Sequence, residues 1–113
     1  YDASLDEYHL STIDELIGLH KVVSNGKSLT GKTVYLDNDM VLNDISDYEN
    51  WETTAPANVW ESIGYLSSGN KSFSGTFDGQ GHSIIGLYST TGGLFAYLSN
   101  ATVKNVILSN EYV

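Results

Sequence analysis

Phe73-Ser74-Gly75-Thr76-Phe77-Asp78-Gly79-Gln80-Gly81-His82-Ser83-Ile84-Ile85-Gly86-Leu87-Tyr88 is the stretch whose reading decides the fold. Two short alternating strands flank a polar turn in which Gly79 and Gly81 stand two residues apart. Period-two alternation marks half-buried strands, and such glycines mark a tight bend between them. Further on, Gly93-Leu94-Phe95-Ala96-Tyr97-Leu98-Ser99-Asn100-Ala101-Thr102-Val103-Lys104-Asn105-Val106-Ile107-Leu108 repeats the plan of strand, small polar turn and strand. The step is 18 residues from Gly75-Thr76-Phe77 to Gly93-Leu94-Phe95, and 19 from Ile84 and Leu87 to Val103 and Val106. Repetition with a period of about 20 residues is a solenoid signature. The sequence therefore predicts a mainly β fold, a short right-handed parallel β-helix of about three rungs. An antiparallel β-sandwich is the alternative, favoured if Phe77 and Ile84 pair directly across a two-residue turn.

Working outward, residues 12–23 read as the one helix. Ile13, Leu16, Ile17, Leu19, Val22 and Val23 recur at three- and four-residue spacings. Thr12 with Glu15 reads as a capping box, Ser11 with Asp14 as the alternative, and Asn25-Gly26 as the stop. An amphipathic helix at about 12–24 is expected to cap the open end of the stack. Strands are expected at 33–36, 40–42, 73–77, 83–88, 94–98 and 102–108, with rungs over about 32–110. Leu16, Val34, Leu36, Phe77, Ile84, Leu87, Leu94, Phe95, Val103 and Val106 are the expected interior, stacked about 4.8 Å apart. Residues 43–70, with Pro56, Trp51 and Trp60, read as a long loop bulging from the stack.

At 113 residues one domain, 1–113, is the simplest organisation. A chain opening on Tyr1 predicts a segment excised from a larger multidomain protein. After Val106-Ile107-Leu108 only Ser109-Asn110-Glu111-Tyr112-Val113 is left to cover the last rung, so further repeats or end-to-end self-association are expected at that end. No apolar run approaches the roughly 20 residues of a membrane helix. There is no cysteine, and the five basic residues are all lysines, against fourteen carboxylates. Residues 1–61 carry twelve acids and three lysines, and 62–113 two of each. Such a chain repels phosphates, which argues against nucleic-acid binding and against anionic membrane surfaces. The abundance of Tyr, Ser, Thr, Asn and Gly fits a bacterial surface or secreted module better than a cytosolic enzyme.

The motif from Gly75 to Tyr88, followed by Gly93-Leu94-Phe95 and Val103-Lys104-Asn105-Val106, resembles the GLUG-type repeat region of large bacterial surface proteins. Thr12-Ile13-Asp14-Glu15-Leu16, Val34-Tyr35-Leu36-Asp37-Asn38-Asp39 and Trp60-Glu61-Ser62-Ile63-Gly64 agree with it, so the likeness spans roughly 12–110. Two positions depart from the pattern: Ala96 replaces a glycine, and Glu61-Ser62 replaces a residue-proline pair. The resemblance implies a parallel β-helix of adhesin-like or cell-wall-attached proteins, also found beside IgA-cleaving metalloprotease domains. It also implies a non-catalytic role with no cofactor and an extracellular address.

Several residues carry competing readings. Asp78 with Gly79 and Gly81 suggests an acidic catalytic or metal loop, and His82 a general base. The turn reading is preferred for Gly75, Asp78, Gly79, Gly81, His82, Gly93 and Asn105, because Asp accepts from turn amides and glycine supplies positive φ. Asp37, Asp39 and Asp44, with Asp47 and Glu49, offer hard oxygen ligands for calcium but not the EF-hand spacing, so a solvated acidic edge is preferred. Glycosidase action needs two carboxylates about 5–10 Å apart across the bond; Asp78 and Glu61 are a candidate pair, but nothing in their spacing requires them to meet. Tyr48, Trp51, Trp60 and Tyr65 are candidates for stacking on sugar rings, or else for pinning the loop, with Trp60 the better core residue. The expected function is an adhesion or spacer module. The alternative is a glycan- or protein-binding accessory domain of a secreted enzyme, its partner a host or cell-wall glycan or protein.

Overall fold

The computed structural model describes residues 4–46, 48–66, 68–69, 71–109 and 111. Short alternating runs form seven strands: β1 Glu7–Leu10, β2 Thr33–Leu36, β3 Met40–Val41, β4 Thr76–Asp78, β5 Ser83–Ile85, β6 Thr102–Lys104 and β7 Ile107–Ser109. In β2 the inward positions are Val34 and Leu36, and in β4 Phe77, as period two requires. Helix α1, Ile13–Ser24, starts where the spacing predicts. Thr12 Oγ1 accepts the Glu15 N–H at 3.2 Å, while Glu15 Oε1 accepts the N–H of Ser11, one residue before the cap, at 3.0 Å. Asn25 caps the other end, and Leu16, Leu19 and Val23 are the buried face.

Among the described residues every strand pairing is parallel. One sheet has the order β1-β2-β4-β6 and the other β3-β5-β7. Consecutive strands β2 and β3 lie in different sheets, so residues 37–39 turn a corner between them. The same holds for residues 79–82 between β4 and β5, and for 105–106 between β6 and β7. Layer lies on layer at these corners: the Gly79 N–H donates to Lys104 O at 2.9 Å and the Gly81 N–H to Asn105 O at 2.7 Å. A Cβ on Gly79 would meet Asn105 O at 2.5 Å and the Val106 Cα at 2.6 Å. Gly79 is thus required by close approach of backbones, while the positive φ expected of it falls on Gln80 (53°) and Gly81 (81°).

The closed, mainly β solenoid expected from the sequence does not form. The protein is a small α/β domain of two parallel sheets and one helix. Parallel pairing throughout also removes the antiparallel sandwich. Two physical reasons account for the difference. Gly86 and Gly93 take φ values of 75° and 99°, which no extended strand allows, so the expected strand 83–88 stops at Ile85. The strand expected at 94–98 reduces to isolated bridges, Ile63 with Phe95 and Phe73 with Leu98. The apparent repeat step is also misleading. Phe77 pairs with Val103 and Ile84 with Leu108, not Phe77 with Phe95 or Ile84 with Val103. Asn105, at φ 55°, breaks the expected strand 102–108 into two that belong to different sheets.

The core unites both sheets and α1. Of the expected interior, Leu16, Val34, Leu36, Phe77, Ile84, Leu87 and Leu94 are buried, and Phe95 and Val106 pack half-buried against them. Val103 is instead 38% exposed, because β6 is the end strand of its sheet and no described residue covers it from beyond. At the opposite end stands β1, a strand the alternation did not reveal. Nor does segment 43–70 bulge away. Trp51, Trp60 and Ile63 are buried, and Asn43, itself buried, donates to Asn58 O at 2.7 Å and Gly86 O at 2.9 Å and accepts the Asn58 N–H at 2.9 Å. Ser67 and Asn70 of that segment, and Asn110, Tyr112 and Val113 of the expected end cover, lie outside the described residues.

Two substitutions test this packing. Phe77→Ala is expected to cost about 3–5 kcal/mol, since a fully buried ring leaves a cavity that the stacked sheets cannot close. Gly79→Ala is expected to cost about 1–3 kcal/mol through overpacking between corners. Urea unfolding followed by tryptophan fluorescence measures both, and an unchanged midpoint for Gly79→Ala would show that the corners do not stack this tightly.

Candidate functional site

The polar residues singled out by the sequence gather along the stacked corners, each carried there by the end of a strand. His9 ends β1 one residue early, Asp37 follows β2, Asp78 closes β4, and Asn105 follows β6. His9 Nδ1 lies 2.9 Å from Asp37 Oδ1, and its ring stacks on Tyr35 with centroids 5.0 Å apart. Gln80 Nε2 donates to the same Asp37 oxygen at 2.8 Å and to Leu36 O at 3.2 Å. Asp78 Oδ1 accepts the Gln80 N–H at 2.9 Å and the Asn105 amide at 3.2 Å. Asp39 Oδ1 accepts the Ser83 N–H at 2.8 Å and sits 3.2 Å from His82 Nδ1. A column of side chains therefore crosses the layers, each carboxylate joining one corner to the next.

These carboxylates are held below their ordinary pKa. The cause for Asp78 is first the Gln80 backbone N–H, for Asp39 the Ser83 backbone N–H, and for Asp37 the hydrogen bond from His9. In each case donors aimed at the charged form outweigh the cost of partial burial. Asp78, Gly79, Gly81 and His82 lie where the chain passes from β4 to β5. Gly75 is buried where a Cβ would meet Leu29 O at 2.6 Å, and Gly93 is buried with its carbonyl accepting the Ser62 hydroxyl at 2.6 Å.

The acidic stretch does not converge. Asp37 and Asp39 belong to the corner column, whereas Asp44 caps its own turn by accepting the Ser46 N–H at 2.9 Å. Glu49 is exposed on the short 3-10 turn Tyr48–Asn50, and Asp47 lies outside the described residues. Among the described residues no three His, Cys, Asp or Glu are placed to hold a metal ion. Nor does any described helix have the length and apolarity to cross a membrane.

The aromatic set is spent on packing. Trp51 is 2% exposed, edge-on to Tyr48 at 5.1 Å and to Tyr88 at 6.1 Å. Trp60 joins the main core, and its indole N–H donates to Leu94 O at 3.2 Å. Tyr48 is half-buried and its hydroxyl donates to Glu111 O at 2.9 Å, while Tyr65 is half-buried beside Ser62. Sugar stacking needs an open ring face, and the two indoles have none.

Sequence reasoning missed a buried hydroxyl cluster. Ser62 and Ser89 are essentially unexposed, their hydroxyls 3.1 Å apart, and the Thr91 hydroxyl donates to Ser62 at 2.8 Å. His20 sits nearby, but its Nδ1 meets the Ser62 carbonyl at 3.0 Å rather than the hydroxyl, so it does not activate Ser62; the hydroxyl within its reach is that of Ser24, at 3.5 Å. The only signal in the chain was the run Ser89-Thr90-Thr91 between glycines, a pattern typical of any loop.

The lowered carboxylates make stability pH-dependent, with a definite sign. A group whose native pKa is depressed contributes stability above the unfolded carboxylate range and loses it as pH falls through the native value. Melting temperatures are therefore expected to hold from neutral pH to about pH 4 and to fall below it. Asp39→Asn, which cannot titrate, is expected to lower the neutral-pH melt and flatten the acid slope. An acid slope identical to that of the unsubstituted chain would remove Asp39 from the linkage. Compared with protein-family models, curated proteins and solved structures, the chain matches none.

Proposed function

We propose that this chain is a non-catalytic adhesion or spacer module of a bacterial surface protein, working outside the cell. The observation that carries the reading is the corner column. Asp37, Asp39, Asp78, His9 and His82 are engaged with one another and with backbone amides at the corners. Their work is holding parallel strands in register. The likeness of Gly75–Tyr88 and its flanking segments to GLUG-type repeats supports the same reading at the level of motif, independently of the closed coil that likeness implied. The acidic, cysteine-free composition, rich in Tyr, Ser, Thr, Asn and Gly, suits an exported module.

A role as the glycan- or protein-binding accessory part of a secreted enzyme rests on Tyr48, Trp51, Trp60 and Tyr65, of which the two indoles are buried and the two tyrosines half-buried. Binding to a host or cell-wall protein remains within the adhesion reading, through surfaces other than these rings.

Incubated with polyuronates and with neutral glycans, with and without calcium, the chain is expected to release no product, and calcium is expected to leave its melting temperature unchanged. Turnover abolished by Asp78→Asn at an unaltered melt would overturn the proposal. A calcium-dependent rise in melting temperature lost in Asp37→Asn would replace the structural reading of that corner with a metal site.

A further inference from the structure

Both sheets finish on the same layer, in β6 and β7, and among the described residues no strand pairs with the outer edge of either. The side-chain columns stay apolar to the last strand. Val34 and Phe77 are fully buried and their column continues into Val103; Met40 and Ile84 continue into Leu108, which is 38% exposed. Ile107 beside it is 52% exposed, and Leu98, paired with buried Phe73, is 46% exposed. Such an edge is a template for another strand.

At the other limit of the four-stranded sheet stands β1, and between β1 and α1 lies an open groove of 590 Å³. Tyr8, Leu10, Leu19 and Val22 give it an apolar floor, and Glu7 and Glu15 add carboxylates to its lining. Gly18 lines it too, and a Cβ there would meet nothing within 4 Å.

We propose that this groove receives the β6 edge of a second copy of the chain, so that β6 of one molecule pairs in parallel with β1 of the next. The occupant is argued from register and from charge. Tyr8, Val34, Phe77 and Val103 form one column, so continuing the ladder across copies sets Val103 beside Tyr8, an aromatic with a β-branched partner. The same register brings Lys104 next to His9 and diagonally to Glu7, with Glu15 across the groove. Pairing two β1 edges would instead press together the halves that hold twelve of the fourteen acids. Pairing two β6 edges would leave both grooves empty. Head-to-tail contact joins the acidic half of one copy to the neutral half of another. Being heterologous, it propagates into short linear oligomers unless the rotation closes a ring. This interface does not depend on the surface-module reading.

Sedimentation velocity of the whole chain over a concentration series tests it, with species beyond the dimer expected at high concentration. Gly18→Leu fills the groove while favouring the helix, so it cannot act by unfolding α1. Val103→Lys places a charge in the pairing column of an already exposed position. Each is expected to weaken association at least about tenfold, with the melt retained. The decisive arm is the mixture. Gly18→Leu keeps its β6 edge and Val103→Lys keeps its groove, so together they are expected to form a one-to-one dimer that grows no further. A chain that stays monomeric at every concentration overturns the proposal, as do oligomers indifferent to both substitutions. A dimer lost in Val103→Lys but intact in Gly18→Leu would mean two-fold pairing of β6 edges, and would overturn it as well.

Discussion

The closeness with which one corner lies on the next governs the rest of this fold. The amides of Gly79 and Gly81 reach the carbonyls of Lys104 and Asn105, an approach that a Cβ at residue 79 would block. Once those bonds form, the register of β4 with β6 and of β5 with β7 follows. Register matters because a slip of one residue in a strand moves its whole inward set to the outer face. With Val34 and Phe77 aligned, a fully buried side chain from each of the two neighbouring strands falls into one column. The short strands, two to four residues each, could not hold that alignment by ladder bonds alone. The corner supplies it.

The remainder of the core is enclosed by segments that are not strands, which places a demand on their backbone groups. A buried irregular segment must find partners for amides and carbonyls that no ladder satisfies. Here polar side chains provide them: Asn43 bridges residues 58 and 86, and Ser62 serves residue 93. Among the described residues no buried side-chain nitrogen or oxygen is left without a partner. That is how two small sheets and one helix can share a core with a long, glycine-interrupted connection without forming further strands.

How much of this could be read from the chain follows from the range of each signal. The helix was legible because both its 3.6-residue period and its Thr12–Glu15 cap lie within one segment. The strand at 33–36 was legible from alternation, while those expected at 73–77 and 83–88 were legible in place but not in extent, since they shorten to 76–78 and 83–85. The closed coil was not a safe inference, because the apolar residues near Phe95 imitate a strand, whereas 94–98 follows two glycines at positive φ and makes only isolated bridges. β1, Glu7-Tyr8-His9-Leu10, alternates over only four residues, too short a run to mark a strand by itself, and its strand state comes from pairing with β2. The corner column joins residues 9, 37, 78, 80 and 105, a juxtaposition that only the pairing of distant strands creates. Gly79 shows the limit sharply: a sequence reveals that a glycine is needed, but not whether for its φ or for its missing Cβ.

The electrostatics of the corner bear on what such a module can do. A general acid near neutral pH needs a carboxyl whose pKa is raised, by burial or by a neighbouring anion, so that it still holds a proton. Asp37, Asp39 and Asp78 are displaced the other way, because amide and imidazole donors are already aimed at their charged forms. They remain ionised and act as permanent acceptors, which is what a register-keeping device requires and what proton transfer does not. The same arrangement places acidic groups at each corner without gathering three of them around a common point. The carboxylates therefore give the corners directional bonds between layers.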